Sequence, residues 1–314
     1  LRTLPAPPRH VFRTGESTVP VDIAEPLLSF SPDGRMFAYG ISIPLWDAEN
    51  QPLTVWDVTA GRTKTTVDLA TASGRPVDEI ALGPGGRTLL TARSTEDGYF
   101  NEIWDTKRQR RTALLPGPGG YGLAVSRNGR LLVTDNRVVR AGRSQAHDLV
   151  QRDSIDAISF APDGSALAAG AGTGRVTLWD GDLRHQAGIL RNVFPGPVDP
   201  ASGPGESITA LAFSPDGDTL AVGGDAGTLQ LWDIATQQPL GPPLPTPGGG
   251  IDTLAFSPDS TLLYAGGKRV PLQRYVVDPD RAVSLVCART GNTELTRAQW
   301  RTYVPDRPYR RVCR

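Results

Sequence analysis

One short unit recurs along this chain, and few folds accommodate such repetition. In its clearest copy, residues 208–234, three apolar runs alternate with turn signals: Ile208 to Phe213, Thr219 to Val222 and Thr228 to Trp232. Each run has about the length of one strand. Ser214-Pro215-Asp216-Gly217 separates the first two; Pro presets φ and Gly takes a positive-φ corner, so the chain reverses tightly. Gly224-Asp225-Ala226-Gly227 signals a second hairpin, and Trp232-Asp233 closes the third strand.

The first strand and its turn return as LLSFSPDG (27–34), EIALGPGG (79–86), LAVSRNG (123–129), AISFAPDG (157–164), LAFSPDG (211–217) and LAFSPDS (254–260). The turn residues at 31, 83, 126, 161, 214 and 257 lie 52, 43, 35, 53 and 43 residues apart. The closing pair is Trp56-Asp57, Trp104-Asp105, Trp179-Asp180 and Trp232-Asp233. The third copy lacks it, and Arg274-Tyr275 stands in its place in the sixth.

Turn, hairpin and Trp-Asp together resemble the WD-repeat β-propellers, over roughly residues 10–278. The resemblance implies an all-β ring of six blades, each a four-stranded antiparallel sheet, with seven blades as the alternative. Copy six shows three strands (251–256, 261–265 and 271–277), and His10-Val11-Phe12-Arg13 is expected to supply the fourth and close the ring. Residues 1–9 read as the Pro-rich remnant of a linker from a longer protein. One departure matters. The family's Gly-His before the first strand is absent: the positions read Pro76-Val77-Asp78, Asp153-Ser154-Ile155, Glu206-Ser207-Ile208 and Gly250-Ile251-Asp252. The His-centred bonding of typical blades cannot form, and stability falls more heavily on packing between sheets.

Residues 279–314 break the pattern and are expected to form a helical cap packed on the propeller. Ala282 to Ala288 suits a short helix; a second, with Thr293 or Thr296 as N-cap, runs to about Tyr303 before Pro305. This tail resembles the Cys…Leu-Thr…Trp…Tyr…Cys ending found after propellers in large bacterial signalling proteins. These include the signal-transduction ATPases with numerous domains, especially of actinobacteria and cyanobacteria. That likeness implies a recognition or sensor domain fused to an effector. Cys287 and Cys313 bracket the tail: joined, they close a loop of about 27 residues; unjoined, they are free thiols of a reducing cytosol. The chain is accordingly placed in the cytoplasm, or outside it as part of a membrane-anchored protein if the two are bonded.

The chemistry of other classes is missing. Lys+Arg and Asp+Glu are both 33, so nothing in the overall charge favours nucleic acid. The Arg-rich tail carries Trp300, Tyr303 and Tyr309 at a spacing that suits packing better than stacking on bases. His10, His147 and His185 are scattered, there is no phosphate loop, and no residue set points to a catalytic site, a metal or a cofactor. No apolar run approaches the roughly 18 residues of a membrane span. The inner strands, read as Leu-Ala-Phe, Ala-Ile-Ser-Phe and Leu-Ala-Val, offer almost nothing ionisable.

The binding signal lies in two enlarged hairpin loops, residues 41–52 and 94–101, on the face where blade-to-blade links open. Adjacent blades would set Trp46, Tyr99 and Phe100 together, rimmed by Asp47, Glu49, Glu96 and Asp97. Aromatics inside a charged rim are the usual make-up of a protein-interaction hot spot. The long link from Phe194 to Ser207 opens on the same face. The expected function is non-catalytic recognition of a protein partner.

Overall fold

The computed structural model of the chain describes residues 25–42, 51–69, 76–95, 98–115, 122–134, 136–140, 146–149, 154–190, 193–194, 206–267, 270–291 and 293–313. They form a six-bladed propeller in which every sheet is antiparallel and its strands pair in chain order. The inner strands are Glu25–Phe30, Val77–Leu82, Leu123–Val125, Ile155–Phe160, Ile208–Phe213 and Thr253–Phe256. Blades one to five have four strands. Blade six has three among the described residues, ending on Val270–Val276, and the expected clasp at residues 10–13 lies outside them.

The recurring motifs fold for identifiable reasons. In blades one, five and six the turn serine donates its hydroxyl to the aspartate two residues on: Ser31 to Asp33, Ser214 to Asp216 and Ser257 to Asp259. The same hydroxyl accepts the N–H of the residue that opens the next strand, Met36, Thr219 or Leu262. Bonds from Ser257 and Thr261 hold the Asp259 carboxyl down to about 2. The aspartate of each Trp-Asp pair does a parallel job one hairpin later. Asp57, Asp105, Asp180 and Asp233 each accept a backbone N–H, from Ala60, Arg108, Arg184 and Thr236 respectively.

The tryptophans are held unequally. Trp104 donates its indole N–H to Glu102 at 3.0 Å, but those of Trp179 and Trp232 are buried without an acceptor. A buried donor left unmatched costs about 1–3 kcal/mol. Apolar packing between sheets therefore carries blades four and five. A Cβ on Gly170 in blade four would lie 2.3 Å from Ile208 Cγ2 of blade five, and one on Gly223 would lie 2.7 Å from Ile251 Cγ2 of blade six. Both isoleucines are fully buried. At these two joints an isoleucine at or just before the inner strand fills a seat that only glycine leaves open in the preceding sheet. Elsewhere the joint adds polar links: Gln51 exchanges two hydrogen bonds with the backbone of Val77, at 2.8 and 3.0 Å.

Blade two buries charge. Arg93 and Glu102 pair at 2.8 Å with both side chains fully buried, and Arg111 reaches the second Glu102 oxygen at 2.6 Å. Arg93 also donates to the Leu69 carbonyl of blade one. Burial pushes the Glu102 carboxyl up, but the Arg93 charge and the bonds from Arg111, Arg93 and Trp104 outweigh it, leaving the group below its ordinary value.

The tail carries two helices. α1 (Pro279–Arg289) begins three residues before the expected start, because Asp278 caps it through Arg281 N–H and Pro279 presets its first turn. α2 (Arg297–Tyr303) is capped by Thr296, not Thr293, in a box with Gln299. α1 packs on the third strand of blade six, and Arg281 donates to Thr261 at 3.1 Å. Cys287 and Cys313 are bonded, with Cα atoms 5.3 Å apart. Trp300 packs within the tail, edge-on to Tyr309 at 5.8 Å, whereas Tyr303 is 71% exposed and does not pack as its spacing suggested.

Two stability outcomes follow from the joints. Ile208→Ala should cost about 2–5 kcal/mol as a cavity, and Gly223→Val at least about 1–3 kcal/mol as overpacking; both read as lowered melting temperature by calorimetry. Melting unchanged by either would show that the sheets are not held by these seats. Glu102→Gln should cost about 3–5 kcal/mol at neutral pH by stranding Arg93. Because the folded value of Glu102 lies below 4.5, its stabilisation is complete above that pH and is lost as pH falls through the folded value. The melting gap between wild type and Glu102→Gln should therefore narrow in acid; a gap constant with pH would refute the assignment.

Candidate protein-interaction surface

The two ends of the ring differ in chemistry, and this follows from how the inner strands are built. At the end where they begin, three of them have one residue bulged out of the ladder: Asp78, Asp156 and Thr209 in blades two, four and five. Asp252 stands at the matching position of blade six, where its N–H donates to Gly266. The inner strands are thus less bare of ionisable groups than their apolar cores suggested. The visible signal is a Val or Ile followed by Asp, as in Val77-Asp78, Ile155-Asp156 and Ile251-Asp252.

These acids brace turns. Asp78 accepts from Ser42 at 3.4 Å, and the Asp156 carboxylate lies against the backbone of Gly172. Glu206, at one of the positions lacking the Gly-His pair, accepts the N–H groups of Ala226 and Thr228 at 3.0 and 2.9 Å. Glu79 accepts those of Gly122 and Leu123 at 2.8 and 3.2 Å and ties blade two to blade three. Burial pushes its carboxyl up, against the pull of those two bonds. No group of three or more His, Cys, Asp or Glu able to hold a metal exists among the described residues.

Of the expected loop patch, the structure describes Tyr99 and Phe100, at this end. Residues 94–101 are not an enlarged loop. The strands Thr88–Thr95 and Gly98–Asp105 stay paired up to Thr95, which faces Gly98. β-branched and aromatic side chains there favour the extended ladder. Tyr99 and Phe100 are successive strand residues, so they point to opposite faces of the sheet. They do not share one surface. Trp46, Asp47, Glu49, Glu96 and Asp97 lie outside the described residues.

At the other end, where the Ser-Pro-Asp turns lie, the inner strands of blades one to four enclose a cavity of about 260 Å³. Phe30, Leu123, Ile158 and Phe160 line it, with Arg127 at the turn of blade three. Arg127 donates to the Pro162 carbonyl, which links the turns of blades three and four. Phe30 is 61% exposed and rests on Phe37, ring centroids 4.5 Å apart. No carboxylate, histidine or cysteine lines the cavity. It can take an apolar side chain and offers no acid or base. Nothing in any single copy announced it, since each lining residue is ordinary in its own strand.

Residues 143–180 and 198–233 match the model of the WD domain, G-beta repeat, family, and these stretches include the first three strands of blades four and five. The fold is a six-bladed β-propeller, and two of its repeats match the WD family. The propeller is 26% identical over 251 residues to a guanine nucleotide-binding protein subunit beta-like protein of Encephalitozoon cuniculi, covering 71% of this chain and 69% of that one. It is 27% identical over 186 residues to protein groucho of Drosophila melanogaster, covering 54% of this chain and 23% of groucho. A ribosome biogenesis protein enp2 homolog of Schizosaccharomyces pombe is 33% identical over 85 residues, 27% of this chain and 13% of that protein. No helix among the described residues is long and apolar enough to cross a membrane.

Proposed function

We propose that this propeller is a non-catalytic protein-interaction domain of a larger bacterial signalling protein, and that a partner seats an apolar side chain in the cavity at the Ser-Pro-Asp end. The observation that carries the reading is the pairing of an exposed Phe30 with a socket that lacks acids and bases. A rigid apolar pocket beside an exposed aromatic is the arrangement that concentrates binding energy in protein interfaces. The WD-repeat relatives add support: one is named a guanine nucleotide-binding protein subunit beta-like protein. The tail's likeness to the endings of bacterial signal-transduction ATPases supports the signalling context, in which occupancy of the ring alters a fused effector. The Cys287–Cys313 bond supports an oxidising compartment for this part of the protein.

Phe30→Asp tests the site without disturbing the fold, because the ring is largely in solvent. Affinity capture from the native host, read by mass spectrometry, should lose its enriched partner with Phe30→Asp and keep it with Tyr99→Ala. Capture retained by Phe30→Asp and lost with Tyr99→Ala or Trp46→Ala would move the site to the opposite end and overturn this placement.

A further inference from the structure

The tail holds a second cavity that the channel reading does not use. Arg297, Arg301 and Arg307 line a groove of about 570 Å³ together with Trp300, Tyr309 and Asp306. Three guanidinium groups there meet one carboxylate. Neither Arg301 nor Arg307 has an ion-pair partner among the described residues. The positive excess is local: residues 279–314 hold eight arginines against three carboxylates, although the whole chain is neutral.

The frame around these arginines is fixed in advance. Thr296 and Gln299 cap α2 reciprocally, the buried Trp300 donates to the Arg307 carbonyl at 2.9 Å, and the disulfide ties the end of the tail back to α1. Guanidinium groups on an ordered backbone lose less freedom when a ligand arrives. Their planar forks match carboxylates in bidentate geometry. Nucleic acid would need open ring faces for its bases to stack on. Trp300 is buried and edge-on to Tyr309, and Arg297 lies over the Tyr309 ring at 5.6 Å. The ring faces in the groove are therefore occupied by the protein itself.

We propose that this groove binds a carboxylate-rich peptide segment of a protein partner, with Arg301 and Arg307 each taking a side-chain carboxylate. The inference is independent of the channel cavity, since none of its residues line that site.

The test uses the intact, disulfide-bonded chain and fluorescein-labelled hexaglutamate, read by anisotropy at low and raised salt. Single-stranded DNA and inorganic tripolyphosphate serve as competing probes. Arg301→Gln with Arg307→Gln should weaken hexaglutamate at least about tenfold, while Arg62→Gln with Arg110→Gln on the blades should leave it unchanged. The charge-preserving pair Arg301→Lys and Arg307→Lys keeps the tail folded and should still lose about threefold or more, because the fork is gone. Equal binding by wild type and the glutamine pair overturns the proposal. So does equal loss in the blade control, which would mean diffuse attraction, or tighter binding of DNA or tripolyphosphate with the same dependence on Arg301 and Arg307.

Discussion

How closely one sheet can approach the next governs this ring. At Gly170 and Gly223 the space a Cβ would need is filled by Ile208 and Ile251 of the following blade. The side chain enters the neighbouring sheet itself, which is why the seat tolerates so little change. The polar links at the same joint are of several kinds. An amide does the work between blades one and two, and a carboxylate between blades two and three. That variety indicates that apolar seating sets the geometry and hydrogen bonds fill in around it. Stacked repeats gain stability mainly through such neighbour interfaces, so a ring of this type can carry local defects.

The defects and their remedies are visible in the tryptophans. Without the Gly-His pair, each indole N–H needs another acceptor. Blades four and five leave Trp179 and Trp232 without one. Blade two provides Glu102, and that choice recruits further groups: a carboxylate buried to receive an indole N–H must be neutralised, and Arg93 and Arg111 do so. A buried pair of this kind adds little net stability over an apolar core, yet removing one partner is costly. Blade two is thereby made specific and brittle, while blades four and five leave their indole N–H groups unmatched.

Much of the architecture was legible because it is periodic. Ser-Pro-Asp and Trp-Asp mark turns whose hydrogen bonds are local, so a few adjacent residues suffice to read them. Tyr99 and Phe100 were harder. Enlarged hairpins look alike in sequence whether they coil into loops or extend as ladders, and pairing from Thr88 to Thr95 decides the second case. Arg93 and Glu102 stand nine positions apart and meet only because their strands pair. The channel cavity was illegible for a deeper reason. Phe30, Leu123, Ile158 and Phe160 come from three copies up to 130 positions apart, and only the closure of sheets around an axis brings them together.

The two cavities also explain each other's composition. The channel cavity opens at the end of the Ser-Pro-Asp turns, and the tail departs from that same end, where Arg281 bonds to Thr261 in the turn of blade six. A ring whose inner strands must pack tightly leaves charge only at the mouth, where Arg127 lies exposed, because burying it unpaired would cost more than the packing returns. Charge for recognition has to be carried on an appendage outside the core. The tail meets that requirement: its helices are short, its order comes from caps and a covalent bond, and its arginines stay in water while Trp300 and Cys287 beneath them are buried. The division of labour, apolar socket in the ring and basic groove on the tail, is what the packing of the propeller leaves open.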